Sequence, residues 1–296
     1  MHVTFYGVRG SIASPGPKTV RYGGNTSCVH VRTRSGTNLI FDAGTGIRNL
    51  GLSLVRHQEP ILLMLSHGHW DHIQGYPFFA PIYQKDRNLV VCQGVEANAL
   101  AMRTILEQMD GSNFPVHSDA LPSKVLIVDE VTEYLANQSF STQRRELNHP
   151  GGGYAYRVEE DGISVAYITD NELSPPNTPA SSYAEWVEFC HGVDLLIHDA
   201  QYTDADMPAK HGWGHSLISE VRQLAVDAQV KNLVMYHHDP ERTDSQLDEI
   251  AIESARFFKT KNSRIGSYIA AEGMTFALSA RHDPKVSTID FYLTDA

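Results

Sequence analysis

From residue 65 the chain reads Leu65-Ser66-His67-Gly68-His69-Trp70-Asp71-His72. Four of these side chains, His67, His69, Asp71 and His72, can each offer a lone pair to a metal ion. Imidazole and carboxylate together suit Zn²⁺ first, and Mn²⁺ or Fe²⁺ accept the same donors. The chain holds 15 histidines, and a lone one among them means little; this cluster is different. One short loop cannot surround two ions, so distant residues must complete the coordination. His149 stands in Asn148-His149-Pro150-Gly151-Gly152-Gly153, where glycines let the backbone pass close to an ion or a substrate. Asp170 and His237 each follow an apolar run. His238 comes directly after His237 and is the alternative; His237 is preferred because it is met first. The chemistry such a set supports is hydrolysis, with paired ions lowering the pKa of water and clamping the attacking and leaving oxygens.

Ligands of this kind need rigid supports. Apolar runs bounded by Gly, Asn, Asp or Pro predict strands over 2–8, 28–34, 38–42, 61–66, 89–93, 124–128, 163–169, 194–198, 232–236 and 274–278. Helical periodicity is present over 95–109, 182–190, 216–229 and 245–258. In the third of these Leu217, Val221, Leu224 and Ala228 form one stripe, with Ser216 as the N-cap. Strands followed by helices predict a layered α/β or α+β domain. The Pro-rich piece 174–179 is a loop too short for an interdomain linker, and no repeat is present, so residues 1–296 are expected to form one domain.

At 296 residues, with 42% hydrophobic and 20% charged residues, the composition is that of a globular protein. A formal charge of −11 leaves no extended basic surface, which argues against long nucleic acids. A small anion is still acceptable, because a metal centre can reverse the local field. The N-terminus has no signal-peptide pattern, no run is apolar enough for a membrane helix, and Cys28, Cys92 and Cys190 lie far apart. Free thiols and no anchor imply a cytoplasmic protein.

The segment His67 to His72 resembles the His-x-His-x-Asp-His signature of the metallo-β-lactamase superfamily, and His149, Asp170 and His237 follow in the order of its later motifs. The resemblance runs from the first strand to the last. It implies an α+β fold, a four-layer αββα sandwich with the site at one edge between two sheets. It also implies two divalent ions: His67, His69 and His149 on one, Asp71, His72 and His237 on the other, and Asp170 bridging. Two divalent ions outweigh two carboxylates and a bridging hydroxide, so the centre is positive and attracts a phosphodiester.

Two further segments, His198-Asp199-Ala200-Gln201-Tyr202 and Gly212-Trp213-Gly214-His215-Ser216, resemble paired motifs of the ribonuclease Z-like phosphodiesterases. By that match Asp199 orients His215, and His215 protonates the leaving alkoxide or stabilises the phosphoryl oxygens. This chain has Asp where that branch usually has Glu. The transfer-RNA endonucleases of the branch carry a long arm between the third histidine motif and the bridging aspartate. Here that stretch is short and reads as a hairpin, so transfer-RNA processing is not expected. The opening, Gly7-Val8-Arg9-Gly10-Ser11 and then Arg21 to Cys28, is similar to arm-less bacterial members, several of them cyclic-phosphate phosphodiesterases. In Phe41-Asp42-Ala43-Gly44-Thr45-Gly46, Asp42 either supports a metal-bound histidine or starts a turn and caps the next helix. Trp70, Tyr76, Phe78, Phe79 and Trp213 either stack on a base or fill the core.

The leading expectation is a dinuclear phosphodiesterase acting on a small or cyclic diester through a metal-bridging hydroxide, with Asp71, Asp199 and His215 taking part. Hydrolysis of a thioester, lactone or lactam on the same metals is the second reading. A nuclease for short RNA and a non-catalytic metal-binding sensor remain. Relatives of the branch are often dimers, which implies a homodimer.

Overall fold

The computed structural model describes residues 1–92, 105–128, 131–279 and 282–288. Two sheets face each other. The first has eight strands in the order β14-β13-β1-β2-β3-β4-β5-β6, with β1 at His2–Gly7, β2 at Cys28–Arg32, β3 at Asn38–Phe41, β4 at Ile61–Met64, β5 at Asn88–Cys92, β6 at Lys124–Val128, β13 at Met274–Ser279 and β14 at His282–Thr288. The second has six in the order β12-β11-β10-β9-β8-β7, with β7 at Ser141–Glu146, β8 at Tyr154–Glu160, β9 at Ile163–Ile168, β10 at Leu195–Asp199, β11 at Asn232–Tyr236 and β12 at Gly266–Ile269.

Strand periodicity divides the apolar residues between layers. In β9, Val165 and Tyr167 face the other sheet, and Ala166 and Ile168 face outward. In β4, Leu62 and Met64 face inward, and Leu63 faces outward. The central strands are therefore buried on both faces, which is why they read as continuous apolar runs. Helix α1 (Ile47–Leu54) covers the first sheet; α4 (Tyr183–Cys190), α5 (Ile218–Asp227) and α6 (Asp244–Thr260) cover the second. Two short α-helices, α2 (Trp70–Ile73) and α3 (Val131–Ala136), also lie among the described residues. The four-layer αββα sandwich that the resemblance implied is present.

Most elements stand within two residues of expectation, and β6 and β11 coincide with it. The helix expected over 95–109 falls largely outside the described residues. Ser216 does not cap α5: Leu217 takes that position, because backbone bonds between Tyr202 and residues 216 and 218 hold the chain extended there, and Ser216 Oγ donates to Asn171 O instead. The short stretch before Asp170 is a β8–β9 hairpin closed at Asp161-Gly162, both with positive φ.

Candidate metal centre

In both sheets the neighbours β3, β4, β5 and β6, and β9, β10, β11 and β12, run parallel. Their carboxyl ends lie along one edge, where open α/β sheets bind their ligands. Asp42 follows β3, His67 to His72 follow β4, Asp170 follows β9, Asp199 ends β10 and His237 follows β11. Asp42, Asp170 and His237 have φ of 62°, 46° and 59°. A left-handed backbone on a non-glycine residue costs about 1–3 kcal/mol and collects at functional sites. Here it turns each side chain back over the end of its strand.

The structure brings the expected residues into two overlapping groups. His67, His69, His149 and Asp170 form one; Asp71, His72, Asp170 and His237 form the other. Asp170 is common to both. Its Oδ2 lies 3.7 Å from His67 Nε2 and 3.6 Å from His149 Nε2. Its Oδ1 lies 3.1 Å from His72 Nε2 and 3.0 Å from His237 Nε2. Asp71 Oδ2 is 3.2 Å from both His72 Nε2 and His237 Nε2. His69 Nδ1 faces His149 Nε2 at 3.0 Å. His238 points elsewhere and donates through Nε2 to Ala270 O at 2.8 Å.

The outward nitrogens of four of these rings, His67, His72, His149 and His237, are engaged. His72 Nδ1 donates to Asp42 Oδ2 at 2.8 Å, His67 Nδ1 to Ser66 Oγ at 2.9 Å, His149 Nδ1 to Gly214 O at 3.0 Å and His237 Nδ1 to Gln201 Oε1 at 2.9 Å. Each bond fixes the tautomer that leaves Nε2 bare and aimed inward, the arrangement that holds a metal-ligating imidazole. Inside, His67 Nε2 and His72 Nε2 are buried without a hydrogen-bond partner. A donor set of imidazoles and carboxylates around orphaned nitrogens fits divalent cations.

The charges among these groups tell the same story. Burial, then the neighbouring His72, holds His67 well below its usual pKa, so its lone pair is free. Burial also takes His149 down to about 4. Burial opposes ionisation of Asp71 and Asp170, yet the surrounding histidines outweigh it and hold both carboxyls below the ordinary range. In the metal-free protein His72 goes the other way: burial lowers it, but Asp71, Asp170 and Asp42 raise it well above normal. One proton on His72 is a weak substitute for divalent charge in this nest of carboxylates.

Asp42 does not cap α1, whose N-cap is Gly46. Its carboxylate takes Ser66 N at 2.7 Å, Ser66 Oγ at 2.8 Å and Tyr167 Oη at 2.7 Å besides His72. Ser66 thus passes the hold of Asp42 on to His67. Tyr167 belongs to a set of buried tyrosines on the second sheet whose hydroxyls cross the sandwich: Tyr156 donates to Leu65 O and Tyr236 to Gly7 O. Replacing Tyr167 with Phe leaves one lone pair of buried Asp42 unmet. Unfolding in denaturant is expected to show a loss of about 1–3 kcal/mol. Metal titration is expected to show roughly 10-fold weaker binding, because a support of His72 and His67 is lost.

The opening segment closes the site from one side. Ser11 N donates to Asp71 Oδ2 at 2.7 Å, and Gly10 lies so close to the His237 ring that a Cβ there would collide with it. Arg9 is fully buried and binds the carbonyls of Gly23, Asp239 and Arg242, which pins this strap. Gly44 is also set by close approach, since a Cβ would fall onto the carbonyl of Asp71.

Asp199, His215 and His237 make a third group. His215 Nδ1 lies 2.9 Å from Asp199 Oδ2, so the shorter aspartate reaches its histidine. Asp199 is held in turn by Asn171 N at 3.2 Å and Gln201 N at 3.0 Å. The His215 ring stacks on His237, centroids 5.1 Å apart, and lies 5.3 Å from His149. It therefore overlooks both metal groups. Burial lowers its pKa, but Asp199 reverses the effect and brings it up to about 9. Ser66, Tyr167, Gln201 and the Gly214 carbonyl were not singled out from sequence. Ser66 and Gln201 lie inside the motif runs; Tyr167 is an ordinary strand residue until the sheets are assembled.

Residues 37–238 match the family described as "Beta-lactamase superfamily domain". A Streptococcus suis (strain 98HAH33) protein named ribonuclease Z is 23% identical over 273 residues, covering 74% of this chain and 85% of its own. Among solved structures, the metallo-beta-lactamase fold protein YhfI from Bacillus subtilis superposes with a TM-score of 0.64 at 18% identity, covering 93% of this chain and 99% of that one. A diphosphatase from the PhnP family gives 0.64 at 18% identity, covering 94% and 98%. At these identities the solved structures speak for the fold alone.

Proposed function

This chain belongs to the beta-lactamase superfamily, and on that premise we propose that it is a metal-dependent phosphodiesterase acting on a small or cyclic diester at two divalent ions. The observation that carries this reading is the Asp199–His215 pair beside two histidine-aspartate groups that share Asp170. His67, His69 and His149 would hold one ion and Asp71, His72 and His237 the other, with Asp170 available to both. Zn²⁺ is the first choice, with Mn²⁺ or Fe²⁺ acceptable to the same donors. Bound there, the ions supply Lewis acidity and water of lowered pKa.

The chain's own groups do the rest. Asp42, Ser66, Gly214 and Gln201 keep the imidazoles in the ligating tautomer. Ser11 N positions the Asp71 carboxylate. Asp199 holds the Nδ1 proton of His215, so Nε2 carries the proton that the departing alkoxide needs. That the curated relatives are named ribonuclease Z supports a phosphodiester over a lactam or thioester. The hairpin in place of an arm and the charge of −11 support a small substrate over a folded RNA. Among the described residues no helix is long and apolar enough to cross a membrane. Three buried free cysteines suit a reducing compartment, so we assign the protein to the cytoplasm.

The test is a substrate panel on protein loaded with Zn²⁺ or Mn²⁺: 3′,5′- and 2′,3′-cyclic nucleotides and a chromogenic diester, with a thioester and a β-lactam beside them. Turnover confined to diesters is expected. Turnover of the thioester or lactam alone would overturn the reading and reduce Asp199 and His215 to structural residues.

A further inference from the structure

The chain has three tryptophans, and they fall into two kinds. Trp186 is fully buried, whereas Trp70 is 77% and Trp213 60% exposed. A single exposed apolar side chain needs no explanation. These two, however, stand one residue away from the same feature. Trp70 is bonded to His69 and Asp71. Trp213 is bonded to Gly214, whose carbonyl receives His149 Nδ1. His69 and His149 meet at 3.0 Å, and His69 is exposed, so this pair is the solvent-facing edge of the metal centre. Each of the two exposed indoles is thus carried by the chain neighbour of a residue that builds that edge.

Their backbones are fixed. Trp70 opens α2, where Gln74 N donates to Trp70 O at 2.8 Å. Glu172 accepts from the backbone N–H groups of Gly212 and Gly214, at 2.9 and 3.0 Å, and so clamps both sides of Trp213. Of the other aromatics singled out, Tyr76 and Phe79 are core, and Phe78, though 57% exposed, packs edge-on against Phe114 at 5.4 Å. The cations flanking the site are also engaged. Lys210 Nζ binds Asp239 at 2.7 Å, Arg242 binds Asp206 at 3.1 Å, and Arg9 is buried on carbonyls. A second phosphate on the substrate would find no free positive partner among them. A flat uncharged ring would find two aromatic faces.

We propose that Trp70 and Trp213 are the specificity-determining residues, receiving a flat uncharged aromatic ring, such as a nucleobase, borne by the scissile diester. This rests on the phosphodiesterase reading above. The experiment compares a 3′,5′-cyclic nucleotide with the same cyclic ribose phosphate carrying a methoxy group in place of the base. Stacking on an indole is expected to make the ratio of kcat/KM between them fall about 10- to 100-fold in Trp70→Leu and in Trp213→Leu. The change should lie in KM, and Trp70→Phe and Trp213→Phe should restore most of it. Metal content is measured in every variant, so a disturbed His69 or Asp71 is separated from a lost ring. Since Trp186 is inaccessible, quenching of indole fluorescence by adenosine monophosphate, and not by ribose phosphate, gives a second readout free of turnover.

An unchanged ratio in both Leu variants would overturn the proposal while leaving the diesterase intact. If the wild type hydrolyses no diester, the diesterase reading itself fails. Fluorescence then decides the indoles alone: base-specific quenching supports them, and its absence overturns them as well.

Discussion

Asp170→Asn is expected to empty the metal centre. The residue is 2% exposed, and its two carboxylate oxygens face different groups: Oδ1 toward His72 and His237, Oδ2 toward His67 and His149. Among the described residues no other is shared by both groups. Asparagine keeps the shape but removes the charge, and it turns an amide N–H₂ toward imidazole nitrogens or toward a cation. Even residues that only support a ligand cost about 10–100-fold in affinity when lost, so a shared ligand should cost at least about 100-fold. Metal analysis after dialysis should find fewer ions per chain than in the wild type, and turnover should fall in proportion. An Asn variant that retained two ions at wild-type affinity would show that Asp170 does not bridge.

Legibility from sequence followed locality. His67 to His72 are close in the chain, so their types and spacing were enough to announce a metal site. The central strands β9, β10 and β11 were visible because burial on both faces leaves uninterrupted apolar runs. The edge strand β7, Ser-Thr-Gln-Arg-Arg-Glu, has no such run and was missed, since pairing with β8 rather than burial defines it. Ser216 had the right chemistry for an N-cap and the wrong surroundings. Tyr167 is the clearest limit. Alternation says which face it occupies, but its partner Asp42 lies 125 residues away on the opposite sheet. The same distance problem applies to Gly214, whose carbonyl sets the tautomer of His149. The metal ligands were legible as a list; the groups that hold each ring in place required the sandwich to be closed.

His215→Ala separates binding of metal from departure of the leaving group. The His215 ring stacks on His237 and lies tilted against His149, with no hydrogen bond to either, and its Nδ1 is committed to Asp199. It is therefore expected to leave metal content unchanged when removed. What disappears is the proton on Nε2. With an alkyl or ribose leaving group, an unprotonated alkoxide must then depart, and kcat is expected to fall about 10²–10⁴-fold, the range for a lost general acid. A nitrophenyl diester needs no such proton, so its turnover should fall far less. The contrast between the two substrates is the diagnostic, because loss of metal or of packing would depress both alike. Asp199→Asn should follow the same pattern with a smaller loss: the imidazole stays, but the carboxylate that keeps it protonated and oriented is gone. Equal losses on both leaving groups would remove His215 from the proton path and make it a support for the phosphoryl oxygens. Full activity on the alkyl diester, with metal in place, would remove it from the chemistry altogether.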